Sequence, residues 1–302
     1  MSALGHVGAG AGTAAPVELS KPRRKWLPYL LLLPGGLWLI LFFAVPCVQL
    51  LATSLYDPSG SLEDGYVMTW HVANYSDTVS QYLPQFGRSI GYAALTTVFS
   101  LILGYPLAYA IALKSGRFKN ILLICVIAPF FTSFLIRTLA WKVILSDNGT
   151  VVSVLNALHV PLPDGRLLAT TPAVIAGLVY NFLPFMVLPL YASLEKLDPR
   201  LIEAAGDLYA RPVARFTRVV LPLSMPGVVA GTLLTFIPAA GDYINAELLG
   251  TSRQYMIGNV IQSKFLKVTD YPAAAALSFT LMAAILVLVF VYVRRAGTDE
   301  VL

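Results

Sequence analysis

Charge is scarce in this sequence. Only 12% of its 302 residues are Asp, Glu, Lys or Arg, about half the ~25% of a soluble domain. So few charges cannot cover a water-solvated surface. With 57% apolar residues and a mean hydropathy of +0.72, the solvent that tolerates the chain is lipid. Histidine is scarcer still. His6, His71 and His159 lie scattered outside the apolar runs, and no metal site is expected from them. Cys47 and Cys125 stand far apart inside apolar runs, which excludes a disulfide framework and predicts two buried, inert thiols. Motifs for soluble chemistry are missing too. There is no GxxxxGK[ST] loop to cradle phosphates, no HExxH, no GxSxG and no Cys–His cluster, so neither P-loop ATP hydrolysis nor a zinc or serine hydrolase is expected.

What is present is a series of long apolar runs. Six are long enough to cross a bilayer, which takes roughly 20 residues per helix. They cover residues 28–54, 90–113, 120–145, 172–194, 226–250 and 273–293. Each is expected to be helical, because an open sheet leaves backbone groups unpaired in lipid. The predicted fold class is therefore all-α and integral to the membrane, with six spans within residues 26–295. The first 25 residues, rich in Ala, Gly and Ser, read as a flexible tail and not as a signal peptide. Residues 296–302 read as a second short tail.

The basic residues between the runs are unevenly placed. Lys21, Arg23, Arg24, Lys25, Lys114, Arg117, Lys119, Lys196, Arg200, Arg211, Arg215, Arg218, Arg294 and Arg295 fall on one side, and Arg88, Arg166, Arg253, Lys264 and Lys267 on the other. The positive-inside rule then puts both termini and the 195–225 loop in the cytoplasm. The net charge of +5 thus encodes topology, and nucleic-acid binding is a poor reading of it. The external loop, residues 56–88, carries Asp57, Glu63, Asp64, Asp77, Trp70 and Tyr75. It reads either as an interfacial cap with aromatic anchors or as a docking surface for an external partner.

The loop EKLDPRLIEAAGDLYARPVARFTRVVLPLSMPG, residues 195–227, is too long for a plain connection. Leu197, Leu201, Ala204, Ala205 and Leu208 recur at helical spacing. Asp198 followed by Pro199 is a helix start, the carboxylate capping and proline suiting the first turn. A second short helix is expected near Pro212, with Val213, Phe216 and Val219 on one side. The apolar face of this helix–turn–helix needs a partner, either the chain's own spans or a cytoplasmic protein.

Ionisable residues inside spans are functional candidates. Span three holds Arg137 and Lys142, the candidates for charge pairing within the membrane, and span five holds Asp242 and Glu247. Arg137 and Asp242 lie at similar depths, about 27 and 24 Å along their helices. They are expected either to neutralise each other as a structural pair or to leave an acid free to contact a cationic substrate. Pro238 and Gly241 are expected to break or kink span five. Span four carries Tyr180, Asn181, Pro184 and Pro189. Tyr180, Tyr243 and Trp141 can hold a cation by their ring faces. The substrate-pathway candidates are Asp242, Glu247, Tyr180, Asn181, Trp141 and Tyr243.

Glu203-Ala204-Ala205, then Ala210, Phe216, Leu221-Pro222 and Pro226-Gly227, resemble the EAA signature of binding-protein-dependent ABC importer permeases. The resemblance implies a type I importer permease fold, with a cytoplasmic coupling helix between spans four and five that docks in a cleft of the ATPase subunit. It assigns coupling to Glu203, Ala204, Ala205, Asp207, Tyr209 and Ala210. The family usually carries Gly where this chain has Tyr209, a position where glycine permits positive φ. Here the turn must be either strained or rebuilt around Gly206. Further stretches resemble the spermidine/putrescine permease group, and most of all its first permease subunit. These are Pro129 to Ser133, Arg137 to Trp141, Leu183 to Met186, Pro189 to Tyr191, Leu194 to Leu197, Phe236 to Pro238, Gly241 to Tyr243 and Glu247 to Gly250.

That resemblance implies a multi-pass protein of a prokaryotic inner membrane, not itself an enzyme. It would share the pathway with a second permease, receive polyamine from an external binding protein, and be driven by an ATPase dimer holding ATP and Mg. No cofactor is implied on this chain. Permeases of this fold also carry thiamine, ferric ion and phosphonates. An ion-gradient-driven secondary transporter, the rival from outside the family, leaves the Glu203 loop unexplained.

Overall fold

The computed structural model describes residues 27–61, 63–160 and 165–296. The tail expected at 1–25, and all of the one expected at 296–302 but its first residue, lie outside them. Among the described residues regular structure is helical, apart from isolated bridges at Tyr56–Met68 and Ser61–Gly65. The chain divides into two compact units after Val48. The described part of the first is most of α1 (Tyr29–Thr53), which carries no charged residue and contains a π turn at Ile40–Ala44. The second unit holds every other element.

Among the described residues, four helices are continuous and long enough to cross a bilayer: α1, α2 (Ala73–Lys114), α6 (Thr171–Glu195) and α12 (Tyr271–Arg295). Two further crossings are broken. In the first, α3 (Gly116–Phe131) meets α4 (Phe134–Ile144) at 96°. In the second, α8 (Pro212–Leu223) meets α9 (Met225–Ala240) at 66°. Shorter helices fill the connections: α5 (Thr150–Ala157), α7 (Pro199–Asp207), α10 (Ile244–Leu249) and α11 (Ile257–Ser263). Counting each broken pair once makes up to six crossings among the described residues.

Three boundaries depart from the sequence reading. Helix α2 begins at Ala73, well before residue 90, so much of the expected 56–88 loop is helix. Apolar runs mark where a helix meets lipid, whereas the helix itself continues while its backbone is paired. It bends at Tyr82 (φ −111°, ψ 17°), two residues before Pro84, whose ring disfavours helical geometry just upstream. Span three is not one rod. Pro129 lacks a donor, Thr132 and Ser133 are extended (ψ 150° and 136°), and the Pro129 carbonyl accepts from both the Thr132 N–H at 3.2 Å and the Thr132 hydroxyl at 2.8 Å. Span five starts before residue 226, turning at Ser224, whereas its further break at Gly241–Tyr243, before α10, is the one expected from Pro238 and Gly241. That second break falls three residues beyond Pro238.

Helices α2, α6 and α9 pack together as the core. Tyr105 and Ala108 of α2, Met186, Leu190 and Leu194 of α6, Val228 of α9 and Val220 of α8 form one buried cluster. A second joins Ala93, Val174, Leu178, Phe182, Ala239, Ala240 and Leu249. Small side chains let the helices approach, which is how packing replaces the hydrophobic effect in lipid. The apolar runs were expected to bury their thiols. Instead Cys125 is exposed and Cys47 half-buried, because a span presents part of its surface to lipid.

Candidate functional site

A buried polar seam crosses the core where the second unit's helices break. Asp242 sits in the gap between α9 and α10, and its carboxylate accepts from the Asn245 backbone N–H at 2.9 Å and from Asn245 Nδ2 at 3.2 Å. Asn245 Oδ1 accepts from Asn181 Nδ2 of α6 at 3.0 Å, and the same Nδ2 faces Thr138 Oγ1 of α4 at 3.2 Å. Thr138, Asn181, Asn245 and Asp242 are all buried. Two glycines make the approach possible. A Cβ on Gly177 would meet Leu249 and Asn245, and one on Gly258 would lie 2.7 Å from the Gly241 carbonyl oxygen and 2.9 Å from that of Asp242. Gly258 also lets α11 lie directly against the break that holds the acid.

Arg137 stands next to this seam and outside it. It is 8% exposed, and among the described residues nothing accepts a hydrogen bond from its Nε or Nη1. Its guanidinium lies 5.5 Å from the Phe130 ring centre and 5.6 Å from that of Phe134, on the two sides of the α3–α4 break. The expected Arg137–Asp242 pair is not formed here. Asp242 is satisfied by Asn245, an Asx-type contact three residues along the chain, while Arg137 is turned onto rings.

The expected pairing role of Lys142 is not met either. Lys142 is exposed, and Glu247 pairs instead with Lys267, at 3.7 Å. The substrate candidates divide likewise. Asp242 and Asn181 share the seam. Trp141 and Tyr180, edge to face at 5.3 Å, line an apolar groove of about 710 Å3 with Leu95, Phe99 and Leu183. The Tyr243 carbonyl accepts from Asn259 Nδ2 at 2.8 Å. Thr138, Asn245 and Asn259 were missed in sequence. The signal available was a small polar residue inside an apolar run, which is common and unspecific.

At the end carrying Lys114, Lys119, Lys196 and Arg211, the basic end, α7 and α8 form the projecting pair. Asp198 caps α7 by accepting from the Arg200 N–H at 2.9 Å, with Pro199 in the first turn. The pair is anchored through Phe216, whose ring meets Tyr105 at 5.4 Å and Tyr109 at 6.4 Å, and through the Tyr105–Ser224 hydroxyl contact at 2.6 Å. Its opposite face is open. Glu203, Ala204 and Asp207 are exposed and Ala205 and Ala210 half-buried. Leu208, Tyr209 and Val213 are 82%, 96% and 73% exposed. Tyr209 takes the left-handed conformation itself, φ 56°, so the turn is kept and not rebuilt at Gly206. The Ala210 N–H reaches the Ala205 carbonyl at 3.1 Å and the Tyr209 N–H that of Gly206 at 2.9 Å, closing the helix end. Nearby, Lys119 and Glu195 form an ion pair under the Tyr191 ring.

The opposite end is a cap. Tyr66 donates to the Thr269 carbonyl at 2.5 Å, Asn74 Nδ2 to those of Ser54 and Tyr56, and Arg88 Nη1 to that of Tyr255 at 2.9 Å. Beneath it lies a cleft of about 310 Å3 lined by Tyr82, Glu247, Tyr255, Asn259, Lys264 and Lys267. Lys264 donates to Asp270 at 2.9 Å. Burial, the largest single influence, works against its charge, but the hydrogen bond and charge of Asp270 together with Tyr82 outweigh it and hold Lys264 above the usual lysine range. No group of His, Cys, Asp and Glu able to hold a metal occurs among the described residues.

Among the described residues, up to six crossings, two of them broken, with an exposed helix pair at one end, make this a multi-pass membrane protein. Residues 100–296 match the family described as "Binding-protein-dependent transport system inner membrane component". The chain belongs to that family and is an inner-membrane permease subunit of an ABC importer, not an enzyme. It is 40% identical over 258 residues to the spermidine/putrescine transport system permease protein PotB of Haemophilus influenzae, covering 85% of this chain and 90% of that one. To PotB of Escherichia coli it is 39% identical over 260 residues, covering 86% and 94%. The inner membrane ABC transporter permease protein YdcU of Escherichia coli is 37% identical over 230 residues, covering 71% and 72%. Among solved structures, a bacterial ABC transporter that imports the acidic polysaccharide alginate superposes with a TM-score of 0.67 at 20% identity, covering 92% of this chain and 97% of that one. At that identity the likeness speaks for the fold.

Proposed function

We propose that this chain is one of two permeases lining the pathway of an ATP-driven polyamine importer, with spermidine or putrescine as the substrate class. The observation that carries this reading is the 40% identity, over 85% of the chain, to a spermidine/putrescine permease. The basic end faces the cytoplasm, as do both termini. There α7 and α8 offer Glu203, Ala204, Ala205, Asp207, Tyr209 and Ala210 to an ATPase dimer, which holds ATP and Mg. The capped end receives an external binding protein. Asp242, Asn181 and Tyr243 belong to the pathway at its break, and Glu247 to its outer mouth. Two broken spans suit this role, because non-helical backbone at membrane depth is tolerated where it lines a cavity. Buried acids and rings suit a flexible polycation.

The test is uptake of labelled spermidine by cells lacking their own polyamine importers, with this chain and its neighbouring subunits expressed. Uptake that saturates, needs ATP, and is competed by putrescine but not by thiamine supports the reading. No uptake by a complex of confirmed assembly overturns the substrate class.

A further inference from the structure

The cleft beneath the cap contains an ion pair of unequal members. Glu247 is one-third exposed at its side chain, whereas its partner Lys267 is 62% exposed and stands off at 3.7 Å. The second lysine of the cleft is different. Lys264 is only 20% exposed, sits 2.9 Å from Asp270, and is committed there. The cleft therefore holds one fixed, neutralised ammonium and one loosely held ammonium on a long flexible stem. The aromatic rings of Tyr82 and Tyr255 share the lining. A volume of about 310 Å3 corresponds to roughly ten waters, enough for a short aliphatic amine.

We propose that this cleft is a receiving site for a primary alkylammonium group, in which Glu247 is the anion, Tyr82 and Tyr255 supply apolar and ring-face contact, and Lys267 is a tethered stand-in that the arriving amine displaces. The site rests on the polyamine reading above and deepens it. The chemistry is that of like replacing like. The Lys267 side chain is itself a primary ammonium on a four-carbon stem, which is the end group of a linear diamine. Its departure costs little, because most of it is already in water. Glu247 is largely covered and needs a cation in its place. An anion is not favoured in the same cleft, since Lys264 is already taken by Asp270 and Glu247 would repel it.

The experiment is equilibrium binding of labelled 1,4-diaminobutane to the complete transporter in nanodiscs, without its binding protein, for the parent, Lys267→Gln and Glu247→Gln. Melting of each complex is measured alongside. A merely structural ion pair makes the two variants behave alike. A receiving site makes them diverge. Lys267→Gln tightens binding on the order of two- to fivefold, the scale of a weak exposed pair, and Glu247→Gln weakens it by at least as much. Lys267→Arg restores parental affinity. Two variants that shift affinity in the same direction, or not at all, overturn the site. If Glu247→Gln fails to assemble, the Lys267→Gln arm decides alone, and unchanged or weaker binding overturns the site. Parental complex that imports the amine in cells but binds none in nanodiscs overturns the site and leaves the importer reading. Absence of both binding and import overturns the two together.

Discussion

Adding one methyl group at Gly258 tests how the acid-bearing break is held. The new Cβ would stand 2.7 Å from the Gly241 oxygen, 2.9 Å from the Asp242 oxygen and 3.2 Å from the Asp242 carbonyl carbon. Carbon–oxygen contacts settle at about 3.3–3.6 Å, so the backbone must retreat by on the order of 0.5 Å. Backbone atoms cannot swing aside as a side-chain tip can. Overpacking of this kind costs about 1–3 kcal/mol, offset by up to ~1 kcal/mol because alanine is the better helix former. The expected net loss for Gly258→Ala is ~1–2 kcal/mol, or a fall in melting temperature of about 2–6 °C for a chain of this size. Gly104→Ala is the matched control. It gains the same helix propensity, and its Cβ meets Met186 Cγ and Val187 Cγ2 at 3.2 Å, side-chain atoms that can give. Its stability is expected to stay within ~0.5 kcal/mol of the parent. Melting of the purified complex and initial uptake rate in cells are the two readouts. Gly258→Ala should lower both, since the displaced backbone carries the Asp242 carboxylate away from Asn245. If Gly258→Ala melts and transports like Gly104→Ala, the break is not held by close contact and the reasoning fails.

Asp242→Asn is expected to abolish most uptake while the complex still assembles, because an amide cannot accept from both Asn245 donors in the same way. Full transport with full assembly would remove Asp242 from the pathway. Arg137→Met should melt at or above the parental temperature, since it removes a buried guanidinium whose Nε and Nη1 find no acceptor among the described residues, yet lose uptake. A clear loss of stability would mean that the charge is satisfied after all. Tyr209→Gly relieves a left-handed non-glycine residue, a strain on the order of 1 kcal/mol, partly offset by glycine's freer unfolded state. It is expected to raise melting slightly while the complex retains less ATPase subunit on purification. Unchanged retention would show that the exposed ring is not a docking contact.

By itself the sequence determined the solvent, the number of crossings and the family resemblance. These follow from local quantities: scarce charge, run length, and residue identity at fixed spacing in the 195–227 loop. The Asp198–Pro199 start of α7 was legible for the same reason, since a cap and a first turn involve neighbours only. Sequence also flagged Arg137, Asp242 and Glu247, because a charge in an apolar run stands out wherever it points.

It did not determine their partners. Similar depth along their spans offered a pairing of Arg137 with Asp242 as one of two readings, but α4 leaves α3 at 96°, and the chain also breaks at Gly241, where a break was expected. Once the rods bend, depth no longer predicts contact. Tertiary structure then assigned Asp242 to Asn245, Glu247 to Lys267, and Arg137 to the rings of Phe130 and Phe134. It also decided that Trp141 and Tyr180 face an apolar groove, which composition cannot reveal. The division has one physical cause. Transfer into lipid depends on each residue's own chemistry and adds along the chain, whereas pairing depends on directions in space that a few broken turns are enough to change.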